Sequence, residues 1–103
     1  MVIPGGVGDF KPANQEVQGL VDSVKDSLTT LISTEKRNKL HPFKAVSYRS
    51  QVVAGVNYFI KVEIDDGKEY LHLRVHKPLG ENVKPSLARH QESHSAHSDL
   101  TYF

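Results

Sequence analysis

The spacing of apolar residues divides the chain into a helical segment followed by a longer strand-forming segment. Between residues 14 and 36, apolar side chains recur every three or four positions, which places them along one side of a helix. The members of this stripe are Val17, Leu20, Val21, Val24, Leu28, Leu31 and Ile32. Asn14 is a suitable N-cap, and we expect the helix to end near Lys36. Gly19 lies inside it, at a cost of about 1 kcal/mol relative to alanine.

After residue 42 the apolar period changes to two, as in strands that bury one face. The dipeptide Asp66-Gly67 favours a tight turn that pairs Ile64 with Glu69. Three further pairs then share one apolar face: Val62 with Leu71, Ile60 with Leu73 and Tyr58 with Val75. The opposite face receives Glu63 with Tyr70, Lys61 with His72 and Phe59 with Arg74. We expect that second face to be solvated.

The segment from Gln51 to Gly55 permits two interpretations. If it forms a loop, Ser50 pairs with Val56, and Tyr48 meets Tyr58 on the apolar face. If it continues the strand instead, its valines are buried and Gly55 forms a bulge. A further strand is predicted at residues 86–91, after a loop at 77–84. The fold class is therefore α+β, an antiparallel meander against one helix, and the apolar last four residues are able to fold back onto the body.

Alternate hairpins of a meander point towards the same end of the sheet. The loops at 51–55 and 77–84 therefore project side by side, about two strand spacings or roughly 10 Å apart. The residues at their tips are apolar: Val52, Val53 and Ala54 in the first loop and Leu79 in the second. Exposed apolar tips on rigid hairpins are suited to entering the cleft of a partner protein.

Composition narrows the class of protein. With 103 residues the chain is expected to form a single domain over 1–103, in which the glycines and prolines of residues 1–12 predict a flexible, extended N-terminal trunk. A hydrophobic content of 38% and a net charge of +1 indicate a globular protein with no bias towards nucleic acid or membranes. The absence of cysteine excludes disulfides and favours a reducing compartment. Without an apolar leader or spanning segment, we expect a cytoplasmic protein.

The candidate chemistry is sparse. Six histidines are present, and His90, His94 and His97 have a helical spacing. They lie across a predicted strand and a serine-rich tail, with no cysteine and no clear carboxylate ligand set nearby, so we predict neither a metal site nor a cofactor. His72 and His76 are interpreted as surface residues. No nucleophile or phosphate-binding motif occurs, which argues against an enzyme.

Several stretches of the sequence are characteristic of a known family. "QVVAG" is complete at Gln51 to Gly55 within "SYRSQVVAGVNYFIKV", "IPGG" stands near the start, and "DLTYF" stands at the end. Together these resemble the cystatins, specifically the stefins, the type 1 intracellular inhibitors of cysteine proteases. The resemblance covers nearly the whole chain without large insertions. It implies an antiparallel sheet of four to five strands wrapped around one long central helix.

The resemblance also implies a function and a site. Stefins are reversible, tight-binding inhibitors of papain-like cysteine proteases such as cathepsins B, H, L and S, and they block the active-site cleft with a three-part wedge. In this chain the implied parts are Gly5, the first loop Gln51 to Gly55, and a second loop of Pro78, Leu79 and Gly80. Stefins usually read Leu-Pro in the second loop, whereas the order here is Pro78-Leu79.

An alternative function belongs to a different class. A noninhibitory assembly module would open the first loop and exchange strands between chains, giving a domain-swapped dimer. Such a dimer would extend the first loop into a continuous strand and remove the wedge. We expect mainly monomer.

Overall fold

The computed structural model describes residues 7–103. Its helical elements are α1 (Gln15–Ser23), α2 (Lys25–Leu31) and a short helical turn, α3 (Thr34–Arg37). Its strands are β1 (Lys11–Pro12), β2 (Lys44–Val53), β3 (Gly55–Ile64), β4 (Glu69–Lys77) and β5 (Ser86–His94). The five strands form one antiparallel sheet in the order β1-β2-β3-β4-β5, which confirms the α+β class. In residues 7–103, no helix has the length and apolarity required to cross a membrane.

The helix begins where the sequence predicts. The Oδ1 atom of Asn14 accepts a hydrogen bond of 2.9 Å from the amide of Val17, which caps α1. At Val24 the backbone departs from helical geometry (φ −105°, ψ 4°), and the helix resumes as α2 when Leu28 donates to the Val24 carbonyl at 3.0 Å. The central helix is thus two consecutive segments with a break at Val24.

The predicted end of the helix near Lys36 is wrong. Ile32 adopts an extended conformation (φ −113°, ψ 162°), which ends α2 at Leu31, and α3 is a separate turn capped by the Ser33 hydroxyl. Leu31 is consequently 58% exposed, whereas the other members of the apolar stripe are buried against the sheet. Gly19 has no atom within 4 Å of the position that a Cβ would take, so it is tolerated rather than required there.

The register between β3 and β4 is the predicted one. Ile64 pairs with Glu69, and the three predicted apolar pairs follow it along the strands. Ile60, Val62, Leu71 and Leu73 are fully buried and pack against α1 and α2 in the main core. The turn chemistry of Asp66-Gly67 and the alternation of apolar residues agree on one register, which is why it could be derived.

The predicted register between β2 and β3 is wrong by two residues. Ser50 pairs with Tyr58 rather than with Val56, and pairing continues to Val53 and Gly55 with only Ala54 between them. A shift of two keeps each side chain on its predicted face. A bulge between Ala45 and Ser47 then shifts the pairing by one residue, so that Ala45 pairs with Val62 and is buried, while Val46 is 38% exposed.

The face of the sheet opposite the helices is covered, which contradicts the expectation that it is solvated. Phe59, Lys61 and His72 are at most 4% exposed. They lie beneath residues 95–103, which we call the C-terminal strap. The ring of Phe59 packs against the rings of Tyr102 and Phe103, at centroid distances of 5.6 and 5.7 Å. The last four residues therefore do fold back.

Three basic side chains hold the backbone of the C-terminal strap. Lys61 Nζ donates to the carbonyl oxygens of Ala96 and Ser98, at 2.9 and 2.5 Å. Arg49 and Arg74 donate through Nη1 to the backbone oxygens of Leu100 and Phe103, at 3.1 and 3.0 Å respectively. A charged donor strengthens such bonds, and the carbonyls supply the polar partners that these largely covered cations need.

Two histidines stack at the edge of this contact. The rings of His72 and His94 lie 3.7 Å apart and are nearly parallel, at 9°. His72 Nε2 is buried and has no hydrogen-bond partner among residues 7–103. Burial, with smaller effects from His94 and Lys61, lowers the pKa of His72 to about 4. The pKa of His94 is also lowered, chiefly by burial and then by Lys61. Both rings are therefore neutral in the folded protein at neutral pH.

This stack predicts a loss of stability in mild acid. The pKa of His72 is depressed on folding, so the unfolded chain binds the proton more readily, and the free energy of unfolding falls as pH decreases from about 6.5 to about 4. The loss attributable to His72 is on the order of 2–3 kcal/mol. Urea unfolding between these pH values measures it.

Two variants test whether this pH dependence of stability comes from His72. His72→Phe keeps a stacking ring without the titrating nitrogen and should show a flatter pH dependence than the wild type. His97→Gln changes an exposed histidine and should leave the dependence unchanged. An unaltered slope in His72→Phe would contradict this account.

Candidate functional site

The first and second loops meet at one end of the sheet. The turn between β2 and β3 is at Ala54, and β4 ends at Lys77, which pairs with Val56 beside that turn. The loop that follows Lys77 therefore starts next to the first hairpin. The turn Asp65–Gly67 lies at the other end of the same strands. We call residues 52–55 and 78–80 the tip surface.

Gly55 fixes how closely the two loops approach. Its φ is +103°, a conformation that residues with a side chain rarely adopt. A Cβ at this position would lie 2.4 Å from the carbonyl oxygen of Lys77 and 3.0 Å from the Cα of Pro78. Both obstacles are backbone atoms, which cannot rotate away as a flexible side chain would. Glycine is thus required for the first turn to pack against the start of the second loop.

The tip surface exposes large apolar side chains. Val52 is 67% exposed, Val53 42% and Leu79 74%, and Ala54 is exposed between the two strands. Of the two interpretations offered for this segment, continued strand pairing is correct, but burial of the valines is wrong. Val52 and Val53 are paired through their backbones while their side chains face solvent.

Gln51 has a different role from its neighbours. Its side chain is buried, at 4% exposure, and its Oε1 accepts a 3.0 Å hydrogen bond from Asn57 Nδ2. The Oδ1 of Asn57 lies 2.8 Å from His76 Nδ1, so three polar side chains connect β2, β3 and β4 just below the tips. The Gln51 side chain therefore braces the hairpin, and its predicted contact with a protease stays a prediction.

Asn57 and His76 were missed from the sequence. His76 is half-buried and bonded to Asn57, which contradicts the expectation that it is an ordinary surface residue. The signal is present in the register: Gln51 pairs with Asn57, and Asn57 pairs with His76, so all three share one face. The two-residue error in the first hairpin concealed this alignment.

The second loop also turns through glycine. Gly80 has φ +112°, and a Cβ there would lie 3.5 Å from Val83 Cγ1. Leu79 is 74% exposed before this bend, while Pro78 is partly covered beside Gly55. The leucine is thus the apolar contact that this loop offers.

The N-terminal segment runs beside the first hairpin. Gly5 lies outside the described residues. From Gly8 onwards the chain follows β2 in the antiparallel sense: the Gly8 amide donates to the Ser50 carbonyl at 2.6 Å, and Lys11 pairs with Tyr48. Residues 11 and 12 of the predicted trunk are therefore a short strand, while the flexibility of the whole segment 1–12 stays a prediction.

Two of the three histidines considered as metal ligands have other side-chain partners. His90 Nε2 lies 3.1 Å from Glu92, and His94 Nε2 lies 2.8 Å from Gln91 Oε1. In the part of the chain that the structure describes, no cluster of three or more histidine, cysteine or acidic residues is arranged to hold a metal ion.

Known proteins share the domain and nearly half of the aligned residues. Residues 5–94 match the family described as the cystatin domain. The chain is 47% identical to Cystatin-B of Sus scrofa and 46% identical to Cystatin-B of Homo sapiens, in each case over 96% of this chain and 97% of the relative. It is 45% identical to Stefin-C of Bos taurus, over 96% of this chain and 94% of that protein. The chain therefore belongs to the cystatin family, among its type 1 stefins, which are inhibitors of cysteine proteases rather than enzymes.

Proposed function

We propose that this protein is a reversible, tight-binding inhibitor of papain-like cysteine proteases, including cathepsins B, H, L and S. It occupies the active-site cleft with the tip surface and with the N-terminal trunk around Gly5. The observation that carries this proposal is the exposure of Val52, Val53 and Leu79 together at one end of a braced sheet. The protein acts in the cytoplasm as a monomer with a single domain. Its chain contains no cysteine, so its folding requires no disulfide and no oxidising compartment.

The tip surface is suited to tight binding because it is already in place. Strand pairing reaches Val53, Gly55 packs on Lys77, and Asn57 joins Gln51 to His76, so little ordering of the two loops is required on association. Pre-organisation of this kind reduces the entropic cost that normally offsets buried area. A contact of about 1,600 Å² is then sufficient for nanomolar affinity.

The same rigidity explains why a protease would be blocked without cleaving the inhibitor. Attack on a peptide requires its carbonyl carbon to lie in line with the catalytic thiolate. The backbone around Ala54 is constrained by pairing on both sides, at Val53 and Gly55, and it cannot extend along the cleft as a substrate does. The apolar tips fill the cleft and exclude water and substrate.

Gly5 is proposed to let the trunk pass close to the enzyme surface, since a side chain at that position would collide with it. Traced back from Pro12 to Gly8, the segment runs along β2 towards the tip surface, which is the direction this role needs. Because the trunk loses freedom on binding, its contribution should differ among target proteases.

The direct test is titration of active papain and of cathepsins B and L with purified monomer. We expect loss of peptidase activity to be linear in added protein until one inhibitor is present per enzyme, followed by full recovery on dilution and dissociation. Absence of inhibition at micromolar concentration would refute the proposed function.

Val53→Asp should separate binding from stability. A charge placed on the exposed tip has to be desolvated in the cleft, so we expect the dissociation constant for papain to rise at least about 100-fold. The melting temperature should change by less than about 3 °C, because the side chain is exposed.

Val46→Asp is the matched control for this substitution. Val46 is 38% exposed against 42% for Val53, and it lies on the same strand at the bulge, far from the tips. It should leave the affinity for papain within about twofold of wild type. Equal weakening by the two substitutions, or unfolding of Val53→Asp, would count against the tip surface.

Gly55→Ala should weaken inhibition through the geometry of the two loops. The added methyl group would lie against the Lys77 carbonyl at a positive φ, so we expect a loss of about 2 kcal/mol in the free energy of unfolding and a rise in the dissociation constant. Gly19→Ala has free space and helical surroundings, and should instead stabilise by about 0.5–1 kcal/mol. Urea unfolding and papain titration measure both variants. A Gly55→Ala variant as stable and inhibitory as wild type would show that the close approach is not needed.

A further inference from the structure

We propose that Arg49 is a positioning residue for protease binding. Its guanidinium group holds the N-terminal segment and the C-terminal strap together beside the first hairpin, and thereby fixes where the trunk leaves the domain. This inference rests on the proposed function, because it assigns the trunk a place at the protease surface.

Arg49 lies in β2, opposite Phe59, on the face that the C-terminal strap covers. Its Nε donates to the carbonyl oxygen of Gly8 at 2.8 Å, and its Nη1 donates to the carbonyl oxygen of Leu100 at 3.1 Å. The next residue along β2, Ser50, accepts the amide of Gly8 at 2.6 Å. Both polar backbone groups of Gly8 are therefore held by consecutive residues of the strand that leads into the first loop.

The shape of the guanidinium group suits this double contact. Arginine presents donors on Nε and on each Nη in fixed, divergent directions within one plane, whereas lysine offers a single point charge. Arg49 lines a cleft of about 350 Å³ whose walls include Phe10 on one side and Leu100 and Thr101 of the C-terminal strap on the other. It connects two segments that approach each other across this cleft.

Holding Gly8 should matter for affinity because the trunk is the least constrained part of the proposed wedge. A segment whose exit point is fixed has fewer conformations to lose when a protease binds. Without the bonds to Arg49, the trunk would sample more conformations in the free protein. It would then lose more conformational entropy on binding, and its contribution to affinity would be smaller.

Arg74 provides a matched control within the same fold. It pairs with the other side of Phe59, on the same face of the sheet, and its Nη1 also donates to the C-terminal strap, at Phe103. In the described chain it makes no hydrogen bond to the N-terminal segment, 7–13. Both arginines thus bind the C-terminal strap, but only Arg49 also bonds to Gly8 among the described residues.

The test is a double-mutant cycle with papain. We expect Arg49→Gln to raise the dissociation constant about tenfold, Arg49→Lys to raise it less, and Arg74→Gln to change it by less than about twofold. In a Gly5→Arg background, where the contribution of the trunk is already lost, Arg49→Gln should add less than about twofold. Equal effects of Arg49→Gln and Arg74→Gln, or full additivity with Gly5→Arg, would overturn the proposal.

Amide hydrogen exchange in the free protein gives a readout that needs no protease. The Gly8 amide should exchange at least about fivefold faster in Arg49→Gln than in wild type, and at the wild-type rate in Arg74→Gln. Unchanged exchange in Arg49→Gln would refute the positioning role even if papain is inhibited. Failure of the wild type to inhibit papain would refute the proposed function itself, which the titration shows separately.

Discussion

The contact between Gly55 and the backbone of Lys77 is the constraint on which the rest of the site depends. Gly55 has a φ of +103°, which residues with a side chain rarely adopt. A Cβ at this position would also lie only 2.4 Å from the carbonyl oxygen of Lys77, so glycine is required. This contact allows β2 and β3 to pair up to Val53, leaves a single residue in the turn, and places the first hairpin against the start of the second loop. Among residues 7–103 no layer extends beyond that end of the sheet, so the side chains of Val52 and Val53 are exposed.

The sheet that supports the tips is stabilised from both sides by different means. One face buries an apolar core against α1 and α2. The other face is covered by the C-terminal strap, where Phe59 supplies apolar contact and Lys61, Arg49 and Arg74 bind backbone oxygens. A sheet packed on both faces resists twisting and bending, so a short tip can stay ordered without a covering layer of its own.

Local patterns predicted much of this fold. The N-cap at Asn14, the strand alternation and the register of Ile64 with Glu69 each depend on neighbouring residues, and they were derived correctly. The break at Val24 and the exposure of Leu31 were not, since both depend on how the helix packs on the sheet. The first-hairpin register also failed, because a turn through one residue requires the Gly55 contact with a strand that is distant in sequence. The burial of Lys61 and His72 likewise depends on the C-terminal strap. The strap is held by basic side chains that bind its backbone oxygens, and such contacts leave no periodic pattern of apolar residues in the sequence.

The absence of cysteine allows the most direct measurement of where a protease binds. A single cysteine introduced by Leu79→Cys and labelled with a bulky maleimide would place an obstacle on the tip surface, whereas Asp66→Cys would place the same label at the opposite end of the sheet. After removal of free reagent, each labelled protein is titrated against papain. We predict that the label at position 79 weakens inhibition more than about tenfold while the label at position 66 leaves it unchanged. Inhibition that survives the label at 79 and is lost with the label at 66 would contradict the account.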